Sequence, residues 1–183
     1  MPRGRDGRPV VVAIGSILRR KNQTVLVLAA ERLWREGLDF ELRLLGHLGG
    51  DPMPLHDLIP ELQVLGRPLS VETGVSDARL AESLAAARFL ALPSLHEGFG
   101  LPVVEALSVG VPVLTSDFGS LREVAEGQGG VLVDPEDVDA VTEAMRQLLT
   151  DDDLHARLVA EAGARAPRGW HEYATELWEV LSS

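Results

Sequence analysis

Six short apolar runs, each followed by a longer polar or amphipathic stretch, follow one another from residue 9 to residue 135. They are PVVVAIG (9–15), FELRLLG (40–46), QVLG (63–66), RFLALP (88–93), VPVLTS (111–116) and GGVLVDP (129–135). Short runs of this kind suit buried strands, and their alternation with helical stretches is the mark of an α/β domain with a mainly parallel sheet. The expected architecture is a Rossmann-like, three-layer α/β/α domain with about six strands. Helices are expected over 22–37, 76–87, 101–110 and 120–126, and the chain reads as helical from 136 onward. The helix at 22 should open on an Asn cap and close on Gly37, and the one at 101 tolerates Pro102 in its first turn. HLGGDPMPLHDLIPEL (47–62) holds three prolines and two adjacent glycines, so it is expected to be mainly loop, with room for one short turn of helix.

A chain of 183 residues fits one domain with a real core, expected over 9–183 behind a flexible linker at 1–8. No apolar run approaches the roughly 20 residues of a membrane span, and the apolar start is too short for a signal peptide, so a cytoplasmic protein is expected. There are no cysteines, which excludes disulfides and thiolate metal sites. The net charge of −11 works against a nucleic-acid surface while leaving room for a local basic pocket.

Two features carry chemistry. In LPSLHEGFGLPVVEALSVGVPVLTS (92–116), Glu97 and Glu105 flank a Gly-Phe-Gly-Leu-Pro turn between a strand and a helix. In open α/β sheets, ligands bind at the carboxyl ends of strands. Amides around Phe99, Gly100 and Leu101 at a helix start favour an anion such as a phosphate, and Gly98 and Gly100 allow close approach to the backbone. Glu105, one turn into the helix, could accept two hydrogen bonds from a ribose diol, and Glu97 could accept bonds from a sugar. The same spacing also fits a solvated loop Glu97 and a Glu105 that only complements the helix dipole. The second feature is GSILRRKN (15–22), which puts Arg19, Arg20 and Lys21 at the carboxyl end of the first strand, where cations would neutralise a diphosphate or simply be solvated.

At these residues the chain resembles the C-terminal, donor-binding domain of a GT-B-fold retaining glycosyltransferase of the family 4 type. HEGFGLPVVEA looks like the E-x7-E signature, GSILRRKN like the strand-end motif with its terminal Lys, and LGRPLS like the nucleobase-side loop. The resemblance extends from about Val10 to Leu181. It implies that Glu97 meets the donor sugar and is the catalytic residue, and that Glu105 meets the ribose. It further implies that Gly15, Ser16, Arg20 and Lys21 line the diphosphate, that Gly98, Phe99, Gly100 and Leu101 meet sugar and phosphates, and that Val64, Gly66 and Arg67 lie beside the base. Ser16 departs from the family, many members of which carry Arg there, and Arg20 is the cation placed to compensate.

The implied donor is a GDP- or UDP-linked sugar, with the small residue at 16 hinting at GDP-mannose, and no cofactor or metal is implied. The acceptor site belongs to an N-terminal domain that these residues do not encode, so the chain is expected to bind donor and to need that domain for transfer. The apolar face that domain would cover invites dimerisation. A stand-alone nucleotide-sugar-binding or regulatory module acting with a separate subunit is the alternative. A dehydrogenase is disfavoured because VVAIGSILRR lacks G-x-G-x-x-G. His47 and His96 read as loop residues, His155 and His171 as helix-surface residues, and Trp170, Tyr173 and Trp178 as packing for the last helix. Asp117 and Ser120 are expected near the donor, with Asp117 equally suited to cap a helix.

Overall fold

In the computed structural model, residues 7–47, 49, 54–164 and 170–182 are described, except the side chains of 170–173, 176 and 177. Six strands form one sheet: β1 (Val10–Ile14), β2 (Glu41–Leu45), β3 (Leu69–Glu72), β4 (Phe89–Leu92), β5 (Val113–Ser116) and β6 (Gly130–Val133). Every pairing is parallel and the order is β3-β2-β1-β4-β5-β6. Eight helices are described: α1 (Gln23–Arg35), α2 (Pro54–Val64), α3 (Asp77–Ala85), α4 (Leu101–Ser108), α5 (Gly119–Ala125), α6 (Val138–Thr150), α7 (Asp152–Gly163) and α8 (Trp170–Leu181). The three-layer α/β/α expectation holds.

The sheet is covered on both faces, so its central strands are apolar throughout and their residues divide by parity. Val11, Ala13, Leu42, Leu44, Phe89, Ala91 and Leu114 pack with α1, α2, α6 and α7. Val10, Val12, Ile14, Leu90, Leu92 and Val113 pack with α3, α4 and α5. Toward the β3 edge this second face turns polar: Arg43 forks onto Glu41 at 3.0 and 2.9 Å, and Arg79 onto Glu72 at 2.9 and 2.7 Å. The alternation in FELRLLG reflects that half-covered strand.

Two expectations fail in the same region. The stretch read as mainly loop contains α2, because Leu55, Ile59 and Leu62 recur at helical spacing and bury one stripe, while Pro54 opens the helix and exposed Pro60 forgoes a single backbone bond. The strand expected at 63–66 does not exist: Gln63 and Val64 finish α2, and β3 lies further on, its Leu69 paired with Leu42. The linker expected at 1–8 falls mostly outside the described residues. Residues 1–6 are not described; Arg8 is ion-paired with Asp39 at 3.0 Å, and at Pro9, where the domain is expected to begin, the carbonyl accepts from the Glu41 amide at 2.9 Å. Trp178 is 72% exposed and does not pack; the side chains of Trp170, His171 and Tyr173 lie outside the described residues.

His155 is buried on α7, not on a helix surface. Its Nε2 lies 2.8 Å from the carbonyl oxygen of Arg88; a carbonyl only accepts, so Nε2 carries the proton and donates. Arg88 is itself buried, donating to the Leu148 carbonyl at 2.7 Å and to Asp152 at 2.6 Å, which ties β4 to α6 and α7. Burial, aided by the neighbouring Arg88 charge, holds the His155 pKa below its ordinary value of 6.5, against the opposing pull of the Arg88 carbonyl and Asp152. A lowered folded pKa means that the unfolded chain binds the proton first. The expected result is a thermal midpoint that falls as pH drops from above 6.5 toward the lowered folded value, with a shallower fall in His155→Gln; equal slopes in the two proteins would contradict it.

Candidate functional site

The strand order reverses between β1, which is followed by a chain moving toward β2 and β3, and β4, which is followed by one moving toward β5 and β6. At such a switch point the loops leaving two neighbouring strands part and open a crevice at their carboxyl ends. Here the loop after β1 carries Gly15 to Lys21, and the loop after β4 carries Pro93 to Gly100. The amide of Leu95 donates to the carbonyl of Arg20 at 2.7 Å, which joins the two loops.

Arg19–Lys21 forms a single 3-10 turn, followed by Asn22 in the left-handed conformation at φ 54°. Asn accepts that conformation better than most residues. Its side chain caps nothing in α1, contrary to the expected cap, and instead donates to the Pro135 carbonyl at 2.7 Å, linking this turn to the loop after β6. Gln23 donates to the Ser16 carbonyl at 3.1 Å and to that of Gly15 at 3.4 Å, which holds the exit of β1 from behind. Two close approaches explain the glycines there. A Cβ on Gly15, which has φ 123°, would lie 3.3 Å from Lys21 Cε and 3.5 Å from its Nζ. A Cβ on Gly46 would lie 2.1 Å from the Gly15 carbonyl oxygen.

The Lys21 ammonium pairs with Glu97 Oε1, although 76 residues separate them, and both side chains are about nine-tenths buried. Ser94, fully buried, donates to the same carboxylate oxygen at 2.8 Å, and Arg20 reaches Oε2 at 3.4 Å. Burial pushes the Glu97 carboxyl up, but the hydrogen bonds from Lys21 and Ser94 and the charges of Lys21 and Arg20 outweigh it, and its pKa is lowered. The surrounding backbone is braced as well. Ser116 donates to the Ser94 carbonyl at 2.7 Å and Ser120 to that of Glu97 at 3.2 Å. Ser120 thus joins the site, while Asp117 pairs with Arg122 at 3.1 Å and leaves the α5 cap position to Phe118.

Beyond Glu97 the loop enters α4 through Gly100, at φ 89° and with no side-chain cap. Among the described residues, none of the amides of Phe99, Gly100 and Leu101 donates to a backbone carbonyl. A Cβ on Gly98 would meet nothing within 4 Å, so packing does not demand glycine there. Phe99 and Leu101 are 56% and 62% exposed. The exposed Glu105 lines a cleft of about 310 Å³ between α3 and α4, together with Leu80, Ala81 and Leu84.

Of the expected residues, the structure gathers Gly15, Ser16, Arg20, Lys21 and Glu97 around one crevice, with Gly98 to Leu101 on its rim; Glu105 lies in α4 and lines the α3–α4 cleft. Val64, Gly66 and Arg67 are not gathered. They precede β3 and therefore sit at the amino edge of a wholly parallel sheet, where Arg67 forks onto Glu31 of α1 at 3.0 and 3.3 Å. The segment that does leave the carboxyl end of β3 is Thr73 to Val75, which leads into the Ser76 cap of α3. Sequence reasoning missed this segment together with Ser94, Gln23 and the bracing role of Ser120. The Gly74-Val75-Ser76-Asp77 run, a glycine ahead of a capped helix, was the available signal. Exposed His47 and His96 stand at this edge as loop residues, and no cluster of three metal-ligating side chains occurs among the described residues.

Residues 3–165 match the family described as Glycosyl transferases group 1. The D-inositol 3-phosphate glycosyltransferase of Xylanimonas cellulosilytica is 37% identical over 179 residues, covering 95% of this chain and 42% of that protein. The MMP alpha-(1->4)-mannosyltransferase of Mycolicibacterium hassiacum is 37% identical over 167 residues, covering 90% of this chain and 40% of that protein. The structure of sucrose-phosphate synthase from Thermosynechococcus elongatus superposes with a TM-score of 0.74 and 26% identity, over 96% of this chain and 45% of that one. The chain thus spans about two fifths of the length of these curated relatives.

Proposed function

Because the chain belongs to the group 1 glycosyl transferases, we propose that it binds a nucleotide-diphosphate-sugar donor as the C-terminal half of a retaining enzyme of the family 4, GT-B type. The observation that carries this reading is the convergence of Lys21, Arg20, Glu97 and the α4 amides at the switch point of the sheet. Cations and amides there suit a diphosphate, and they would stabilise it as it leaves, without a metal. Glu105, on the α3 side, takes the ribose, and Thr73 to Val75 replace Val64 to Arg67 as the segment nearest the base. Glu97 takes hydroxyls of the sugar. A hexosyl donor is proposed, with mannose favoured by the mannosyltransferase among the relatives.

Acceptor binding and transfer are assigned to this chain together with an N-terminal domain. Exposed Phe99, Leu101 and Phe118 at the carboxyl edge form an apolar rim for that domain to cover, or for a second copy to cover in its place. No helix among the described residues is long and apolar enough to cross a membrane; a cytoplasmic setting is part of this reading. Family membership favours it over a stand-alone regulatory module.

Calorimetric titration with UDP, GDP, ADP, dTDP and their hexose conjugates tests the proposal. One base is expected to bind saturably, and Glu105→Ala should weaken that nucleotide about tenfold or more, as expected for the loss of hydrogen bonds to a charged group. Unchanged affinity in Glu105→Ala would remove the ribose role; no binding by any nucleotide would remove the donor reading itself.

A further inference from the structure

The Lys21–Glu97 pair joins two groups that the donor reading assigns to different parts of one ligand, the cation to the diphosphate and the carboxylate to the sugar. Lys21, nine-tenths buried over Gly15, has little room to leave its partner. A diphosphate drawn to that ammonium arrives within a few ångströms of a carboxylate that is itself nine-tenths buried and ionised. Both anions compete for the same N–H donors, and they repel one another where solvent screens them least. Ser94 and Arg20 remain on the carboxylate, but Arg20 is half exposed and 3.4 Å away.

We propose that the Lys21–Glu97 pair makes this site discriminate between an intact nucleotide-sugar and the spent nucleoside diphosphate. The inference rests on the donor-binding reading. A nucleoside diphosphate alone takes a share of Lys21 and leaves Glu97 short of donors. A ligand that also carries a sugar brings hydroxyls to the carboxylate and restores what the ammonium gave up. The pair therefore weakens the leaving nucleotide selectively and favours its release once the sugar has gone. Glu97 acts here as an internal competitor for Lys21 as well as a sugar contact, and Ser94 is a positioning residue that shares the load on the carboxylate.

The test is the affinity of the 183-residue chain for nucleoside diphosphates and their hexose conjugates, by calorimetry, in four proteins: unmodified, Glu97→Gln, Lys21→Met and the double variant. Glu97→Gln removes the charge and keeps the shape. It should bind the bare nucleoside diphosphate about tenfold more tightly and gain nothing for the conjugate. The gain should vanish in the Lys21→Met background, as it must if it passes through that ammonium. Ser94→Ala offers a second variant with the charge retained; by throwing the carboxylate back on Lys21 it should weaken bare diphosphate about threefold, within the worth of one hydrogen bond. Circular dichroism confirms that each variant is folded.

If Glu97→Gln binds bare diphosphate no more tightly while the unmodified chain binds it in a Lys21-dependent way, the discriminator is refuted and the donor reading stands. A gain that persists without Lys21 also refutes it, since that would be a general charge effect. Absence of nucleotide binding in both the unmodified chain and Glu97→Gln overturns the donor reading and this inference together.

Discussion

Gly46→Ala is expected to cost about 3 kcal/mol of stability, at the upper end of what an inserted methyl costs in a packed interior, and to abolish nucleotide binding in the protein that still folds. The added Cβ would lie 2.1 Å from the Gly15 carbonyl oxygen, 2.5 Å from its carbon and 3.0 Å from the Ser16 nitrogen. These are backbone atoms, so no side chain can rotate away. Retreat is hindered from two sides. The Gly15 amide is held by the Leu45 carbonyl at 2.9 Å, and Gln23 holds the Gly15 and Ser16 carbonyls. Any displacement passes to Lys21, which packs over Gly15, and thence to Glu97. Gly163→Ala is the contrast: nothing lies within 4 Å of its Cβ and it ends α7, so it should be neutral or stabilising by less than about 1 kcal/mol. Urea unfolding of both variants decides the matter; a Gly46→Ala protein within 1 kcal/mol of the unmodified chain would mean that the β1 exit yields easily.

Much of this architecture is readable from residues in sequence because strands buried on both faces leave little choice. VVVAI, FLAL and VLTS are too short and too apolar for surface helices, and each ends where a polar loop begins. The same logic located the crevice, since Lys21 and Glu97 both follow such strands within a few residues. Where two local signals conflict, reading by sequence alone goes astray. In α2 the prolines argue for loop and the Leu55, Ile59, Leu62 stripe for helix; burial of the stripe against the core wins, because Pro54 stands where no backbone donor is needed. That error displaced β3 in turn. Without α2, the Leu65-Gly66 turn has the appearance of a strand end, which puts Val64 to Arg67 at a carboxyl edge, whereas in the structure they precede β3 at its amino edge.

The burial of His155 is hidden from the sequence for a different reason. An isolated polar residue on an amphipathic helix is ordinarily solvated, and its neighbours in sequence do not reveal that α7 crosses over the start of β4, where the Arg88 carbonyl awaits a donor. The Lys21–Glu97 contact lies beyond any local reading, since it depends on which loops the strand order brings together.

Lys21→Met carries the second large effect, and it divides into a stability change and a binding change that respond differently to pH. The thioether fills much of the lysine's volume, so packing over Gly15 is largely kept and the charge is what is lost. Glu97 then retains Ser94 and the half-exposed Arg20. Removing one partner of a buried pair leaves the other charge undercompensated, and with those two donors remaining the expected loss is about 2 kcal/mol at pH 7, below the 3 to 5 typical of a fully stranded charge. In the unmodified chain the folded pKa of Glu97 lies below its ordinary value, so its ionised form favours the fold above that value, and the benefit disappears as pH falls through the folded pKa. Without Lys21 the desolvation that opposes this lowering is less well answered, and the carboxyl's pKa rises. Protonation then relieves the variant at a pH where it still destabilises the unmodified chain. The stability gap should therefore shrink steadily from pH 7 to pH 4, whereas nucleotide affinity at pH 7 should fall about 100-fold, in proportion to a lost charge-assisted contact. Paired urea titrations across that range, together with calorimetry at pH 7, measure both. A gap independent of pH would show that Lys21 supports the fold through its methylenes and that its charge does not stabilise Glu97.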